Sequence, residues 1–559
     1  MAKLSFYTKE MAELCESYIK KGYWQKKSFV DHWEQNAQLY PDKESLVDSR
    51  MRLTWSKVKQ LVDRVALSFL KLGLKKDESV AVLLPWCVEF CLIRAAHEKA
   101  GIILIQLAPT LRHEELEHIL RVTGAKMVII PWRYRDFDYF NMIEEIRPNL
   151  PYLKYILIAG DEVPERAISL KEMLNHPLEE EFHPDYLSSN RHSPFEMSFL
   201  LHTTGTTGLP KLVGSTQAAH EWVGRVHQSE TGDKLTTNDV CGIICPAITG
   251  PNMLPFYSAS MVGAKIVLME VFRPEEALQL IERERITVFS AVPAQLGMMA
   301  KHPDFEKYDL SSLRFIVCAG ASLAYQMALE AEEKFGCPIV QHYGSQENGV
   351  VTVLQHYSEP QDQRLLTVGR PSIANEVKIV DESGMEVPQG QVGEIMARGP
   401  CCDFGYYKDP EASMKAWTND GWYLMGDLGK FDEKGNIVLV GRAKDMIIRG
   451  GQNISPLEIE NLLLTHPKVL DVAIVGMPDP IMGEKACAYI VPKTGQEFKF
   501  DEMVLFLKEK KIAIYKLPER LEIVGKLPTV AGQKIDKKAL LQDIAQKLKA
   551  VKILSGNVL

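Results

Sequence analysis

Met197-Ser-Phe-Leu-Leu-His-Thr-Thr-Gly-Thr-Thr-Gly-Leu-Pro-Lys211 is the stretch on which the reading of this chain turns. The apolar run Met197 to Leu201 reads as a buried strand, and it opens into a loop of hydroxyls and glycines that closes on a proline and a cation. Glycines at 205 and 208 permit close backbone approach, successive amides can form an anion nest, and threonine hydroxyls add donors or a magnesium ligand. Such a loop suits a polyphosphate. An ordinary flexible turn is the bland alternative, and the unbroken hydroxyl-and-glycine run before Pro210 and Lys211 weighs against it.

Outward from this loop the pattern is helix then strand. Apolar residues recur at helical spacing through Val58, Leu61, Val62, Val65, Leu67 and Leu70, and Glu78 to Leu84 then reads as a strand. The alternation returns at 114–130, 274–292 and 327–341, which predicts crossover units around parallel sheets and an α/β fold. The Pro- and acid-rich stretch 176–194 reads as a surface connection. Past Gly399 the texture becomes short strands and turns. Asp432 to Asn436 joins Leu428–Phe431 to Ile437–Val440 as a hairpin, and 442–559 is long enough for a small domain with strands at 472–475 and 486–491. Ser455-Pro-Leu-Glu458 reads as a capping box.

A length of 559 residues exceeds one hydrophobic core, and 46% apolar with 25% charged residues is the balance of a globular protein. The net charge of −8 argues against nucleic acid as the main partner. The first residues carry charges every few positions, so neither a signal peptide nor a membrane span is expected, and a cytoplasmic location is. Ten cysteines, among them the pairs 87/91, 241/245 and 401/402, match no zinc spacing and read as reduced, buried thiols. The helix expected over 536–552 carries Leu540, Leu541, Ile544, Leu548 and Val551 as a packing stripe rather than a membrane anchor.

A P-loop NTPase is the nearest competitor for the 203–211 loop. That motif needs Gly-Lys-Ser/Thr about five residues after its first glycine, where Pro210-Lys211-Leu212 stands instead, without the amide or the magnesium hydroxyl. The loop instead resembles the phosphate-binding signature of the adenylate-forming superfamily of acyl- and aryl-CoA synthetases, peptide-synthetase adenylation domains and luciferases. The resemblance extends through Tyr343-Gly-Ser-Gln-Glu347, Gly421 to Asp427, Gly441-Arg-Ala-Lys-Asp445 and Pro528 to Lys534, in the family's order. It implies a large N-terminal domain of doubly wound sheets plus a β subdomain, residues 1–441, and a small mobile C-terminal α+β lid, 442–559.

The resemblance also implies roles. Lys534 would be the catalytic cation bridging carboxylate and α-phosphate, although Gln533 stands where the family has glycine. Glu347 would hold magnesium, with Thr206 as a further ligand. Thr203, Thr204, Gly205, Thr206, Thr207, Gly208, Lys211, Gly320, Tyr343 and Gly344 would surround ATP or AMP, with Asp427 and Arg442 at the ribose. Lys444 would be the hinge and Gly451 would leave the passage for coenzyme A open. Ile248, Gly250, Ala319 and Ser345 would line the acid pocket. The chain looks closest to the 2,3-dihydroxybenzoate-AMP ligase and aryl-CoA ligase branch, but Thr249-Gly250-Pro251 replaces the His-Asn pair that reads an ortho hydroxyl there. The expected activity is therefore an AMP-forming acid:CoA ligase acting on a compact cyclic or aromatic monocarboxylate, with ATP, Mg2+ and CoA, as a monomer or homodimer. Loading of a carrier-protein phosphopantetheine is the alternative within the same chemistry. A non-catalytic nucleotide-binding protein and a luciferase-like oxidative enzyme are the alternatives outside it.

Overall fold

The computed structural model describes residues 8–183, 185–203, 209–230, 234–245, 250–349, 352–530 and 534–556. The expected helix-and-strand units are present. The helical stripe becomes Trp55–Lys71, started by Thr54, whose hydroxyl accepts from the Lys57 amide, and the strand Ser79–Val82 follows it. His113–Thr123 precedes Met127–Ile130, Pro274–Glu284 precedes Val288–Ala291, and Tyr325–Phe335 precedes Ile339–Tyr343.

These strands build two sheets. In the seven-stranded one, Met197–His202 lies parallel to Ile103–Gln106 on one side and antiparallel to Leu212–Thr216 on the other. The nine-stranded one has a parallel centre in which Ile339–Tyr343, Phe315–Cys318, Val288–Ala291 and Val240–Ile243 are consecutive neighbours. Strands buried on both faces read as continuous apolar runs, which is why Met127–Ile130 and Phe315–Cys318 lack alternation. The 176–194 connection is anchored rather than loose: Glu179 pairs with Arg64, and Arg191 pairs with Asp31 and the buried Glu98.

A four-stranded antiparallel sheet follows, ending in the expected hairpin of Tyr423–Phe431 with Ile437–Arg442. Arg442 is the last residue of that strand, so a division at 441/442 falls at its tip. The strands expected at 472–475 and 486–491 are the middles of longer ones, Val469–Asp479 and Gly483–Pro492, paired antiparallel in a five-stranded sheet. Two apolar clusters cover its opposite faces. One gathers Ile459, Leu463 and Met503, and the other seats Leu540 and Ile544 of the last helix on Val475 and Tyr489. At roughly 1.5–3 kcal/mol for each fully buried aliphatic side chain, those two residues help to hold the helix on the sheet. Leu541 is a correction to the expected stripe, because it is 41% exposed beside buried neighbours. The capping box is half made: Ser455 accepts from the Glu458 amide, while the Glu458 carboxylate reaches Lys516 instead of the cap. All ten cysteines are free and buried, and no helix among the described residues is long and apolar enough to cross a membrane.

Candidate active site

The loop singled out by the sequence is the tip of the hairpin between Met197–His202 and Leu212–Thr216. Thr204, Gly205, Thr206, Thr207 and Gly208 lie outside the described residues, as does Ile248, so the structure is read from their flanks. The Thr203 amide donates to the Lys211 carbonyl over 2.9 Å, which closes the hairpin below the loop. His202 fixes the strand end by accepting from the Ala108 amide over 3.1 Å, and burial lowers its imidazole to about 4, so it stays neutral. The Lys211 ammonium stands 4.7 Å from the centre of the Tyr406 ring.

Glu347 lies across from this hairpin, buried, in a short helical turn directly after Ile339–Tyr343. Tyr406 donates its hydroxyl to Glu347 Oε1 over 3.1 Å, so Lys211, Tyr406 and Glu347 form one contiguous row. Gly349 closes the turn at φ +70°, and a Cβ there would lie 1.9 Å from the Cys401 carbonyl oxygen, so no side chain fits. Behind the row, burial pushes the Asp403 carboxyl far above its usual range; a Ser215 hydrogen bond opposes the rise and the charge of Glu347 adds to it. A magnesium ion held chiefly by phosphates needs only one or two protein carboxylates, and Glu347 fits that requirement.

Tyr343 is the last residue of its strand, and its hydroxyl donates to Asp427 Oδ2 over 2.8 Å. Asp427 pairs directly across the hairpin with Arg442, whose Nε lies 2.8 Å from Asp427 Oδ1. The carboxylate therefore takes one partner on each oxygen. Burial raises its proton affinity, and Arg442, Tyr343 and Lys534 oppose that rise.

Lys534 comes from the far end of the chain and reaches the same place. Its side chain keeps contact with water, yet protein surrounds it, the condition of a residue lining an open cleft. Desolvation lowers its proton affinity below that of an ordinary lysine, Arg442 adds repulsion, and the negative charges of Asp427 and Glu347 partly offset both. Lys444, in the turn Ala443–Asp445, is also depressed by desolvation, with Asp445 and Asp427 opposing. Four cations, Lys211, Arg442, Lys444 and Lys534, thus stand with three carboxylates, Glu347, Asp427 and Asp445, around one cleft. Positive charge beside the threonine- and glycine-rich stretch is the electrostatic requirement for a triphosphate.

The remaining expected residues divide. Gly320 adopts φ +86° and faces solvent at the end of Phe315–Cys318, with Pro251 and Val292 as its nearest packing neighbours. Ala319, Gly344 and Ser345 lie around it at the neighbouring strand ends, and Gly250 begins the helix Gly250–Val262 beside Pro251. Asn252, next along that helix, is held in the core: it bonds the Cys245 amide and carbonyl and accepts from Ser290. Gly451 is not in this assembly. It sits at φ +81° in the turn between Ile447–Arg449 and Gln452–Ile454, and a Cβ there would meet open space. Tyr406 and Asp403 are not among the residues that the sequence points to. The carboxylate inside Cys401-Cys-Asp-Phe404, an otherwise apolar run, was the available signal.

The AMP-binding enzyme model matches residues 33–407, and the AMP-binding enzyme C-terminal domain matches 458–534. The chain belongs to the AMP-binding enzyme family. Among its relatives is the 2,3-dihydroxybenzoate-AMP ligase of Bacillus subtilis (strain 168), 31% identical over 96% of this chain and 97% of that protein. Another is the medium-chain fatty-acid–CoA ligase of Escherichia coli (strain K12), 33% identical over 95% and 93%. Of solved structures, the anthranilate CoA ligase AuaEII in complex with anthranoyl-AMP superposes with a TM-score of 0.84 at 26% identity, covering 94% of this chain and 98% of that one. The match to the family's C-terminal domain ends on Lys534 itself.

Proposed function

We propose that this enzyme is an ATP-dependent, AMP-forming acid:CoA ligase acting on a compact cyclic or aromatic monocarboxylate. The observation that carries the reading is the convergence of Lys534 with Asp427, Arg442 and Glu347, residues from three separate segments of the sequence. A carboxylate oxygen attacks the α-phosphorus of ATP, the bond to the β-phosphate oxygen breaks, and pyrophosphate leaves with its electron pair. The thiolate of CoA then attacks the acyl carbon and AMP departs. Both reactants of the first step are anions, so cations at the meeting point lower its barrier. In this reading Lys534 neutralises the incoming carboxylate, Lys211 holds phosphate, and Asp427 accepts hydrogen bonds from ribose hydroxyls. Magnesium held by Glu347, with Thr206 as a second ligand, would neutralise the phosphates. Lys444 acts as the pivot about which 442–559 turns to present the Gly451 face for the thiol step.

The names of the relatives support both an acyl-CoA product and the runner-up, transfer to a carrier-protein phosphopantetheine. Acid-dependent exchange of labelled pyrophosphate into ATP tests the first half, with thioester formation from CoA alone as the second. Failure of every ring acid in a broad panel to promote exchange contradicts the proposal.

A further inference from the structure

Residues 8–24 touch three walls of the nucleotide site. The Thr8 hydroxyl accepts from the Met11 amide and donates to the Asn419 carbonyl over 2.6 Å, so the helix Lys9–Lys20 starts against the turn that leads into Tyr423–Phe431, the strand of Asp427. Further along that helix, Leu14 closes with Phe404 over Gly421, where a Cβ would lie 3.4 Å from the first and 3.1 Å from the second. Tyr23 packs on Trp222 at 4.9 Å between ring centroids, and Arg225 donates to the carbonyls of Gly22 and Tyr23. Trp222 and Arg225 belong to the helix Gln217–Glu230, which follows Leu212–Thr216, the outgoing strand of the hairpin that carries the threonine- and glycine-rich loop.

Trp24 makes the third and most directional contact. Its indole is 2% exposed, Tyr18 packs edge-on against it at 5.6 Å, and its N–H donates to the Pro400 carbonyl over 2.7 Å, 376 positions away. The segment so gripped lies on the turn of Glu347. Cys401 Sγ donates to the Asn348 carbonyl over 3.2 Å, the Asp403 amide donates to the Glu347 carbonyl over 3.0 Å, and the Cys401 carbonyl fills the space that a side chain at Gly349 would need. Packing alone would be served by any ring of that size, whereas a buried donor aimed at one carbonyl also fixes distance and direction. Without that donor the buried Pro400 carbonyl is left unmet, which gives the segment reason to move. We infer that Trp24 is a positioning residue for the metal, which through the 400–403 backbone fixes the turn from which Glu347 faces the nucleotide. The inference rests on the reading of Glu347 as the magnesium carboxylate and extends it to a distant segment of the chain.

The test is a binding measurement on the whole enzyme saturated with α,β-methylene-ATP, whose α–β bridge cannot be cleaved. Mn2+, which shares the octahedral oxygen coordination of Mg2+, is titrated in and followed by its paramagnetic resonance. Trp24→Phe keeps a ring and loses the donor. Its Mn2+ affinity should fall about threefold to tenfold, below the roughly 10- to 100-fold cost of losing a group that touches a metal ligand directly. The number of sites per chain, and the affinity for the same nucleotide without divalent ion, should stay put. Cys401→Ala cuts the other end of the relay and should weaken Mn2+ to a similar extent, and neither substitution should add in full to the loss caused by Glu347→Gln. A lowered number of sites with unchanged affinity in Trp24→Phe would mark a merely structural role and overturn the inference, as would a loss fully additive with that of Glu347→Gln. Unchanged affinity in Cys401→Ala would overturn it even if the Trp24 variant failed to fold. Those outcomes leave Glu347 at the metal, whereas unchanged Mn2+ affinity in Glu347→Gln would sink the metal assignment and the inference together.

Discussion

Asp427→Asn separates the nucleotide function of this carboxylate from its structural one. In the free enzyme the carboxylate accepts from Tyr343 and pairs with Arg442, whose side chain is 46% exposed. The hydroxyl bond contributes about 1 kcal/mol and the exposed ion pair about 0.5 kcal/mol, and asparagine keeps an oxygen for one of them. Folding should therefore weaken by no more than roughly 1 kcal/mol, a change in melting temperature of a few degrees at most. Nucleotide binding should lose more. Each ribose hydroxyl donating to a charged acceptor is worth about 1.5–3 kcal/mol, and the amide retains one acceptor of two, so kcat/KM for ATP should fall about 10- to 150-fold. Exchange kinetics with ATP and 2′-deoxy-ATP supply the decisive comparison. The deoxy substrate should be penalised in the wild type and much less so in the variant, because the lost partners are the same. An equal penalty in both enzymes, or an unchanged KM for ATP, would refute the ribose assignment.

Three further outcomes follow from the same geometry. Lys444→Pro should leave pyrophosphate exchange measurable while thioester output falls at least about tenfold, and normal CoA turnover would show that the pivot lies elsewhere. Tyr406→Phe removes the hydroxyl held by Glu347 and should raise the magnesium concentration needed for half-maximal exchange about threefold to tenfold, consistent with about 1 kcal/mol of lost orientation; an unaltered magnesium requirement would detach Tyr406 from the metal position. Because Lys534 must be protonated to act and its surroundings lower its proton affinity, kcat/KM for adenylation should decline on the alkaline side through a value below 10.5, and Lys534→Arg should abolish that limb. A limb that survives in the arginine variant would belong to another group.

The parts of this molecule that were legible in its sequence are those set by local pattern. Trp55–Lys71 and the hairpin closed by Asp432 to Asn436 follow from periodicity and turn chemistry, and the structure keeps them within a few residues. Leu541 escaped because a 20-residue helix resting on a sheet by one edge buries a narrower stripe than its apolar residues suggest. Glu458 escaped because Lys516, from 58 residues on, outcompetes its own helix end for the carboxylate. In the site, the Asp427 with Arg442 pairing was accessible from hairpin register, whereas Tyr343 reaching the same carboxylate from another sheet was not. The setting of Asn252 is hidden in the sequence for a related reason. Its amide is consumed by Cys245 and Ser290, and nothing in Gly250-Pro-Asn reveals which way that side chain turns. Tyr406 is visible only once segments distant in sequence have been laid side by side.

The central claim is that Lys534 and the upstream cradle act on one nucleotide in the first half-reaction alone. Lys534→Ala, assayed separately for pyrophosphate exchange and for thioester formation from supplied acyl-AMP, tests it most directly. Loss of one preorganised charge at the reacting phosphate should cost about 3–4 kcal/mol, a fall of roughly a hundredfold to a thousandfold in exchange, with thioester formation within about threefold of wild type. Equal loss in both half-reactions, or exchange that survives, would contradict the account.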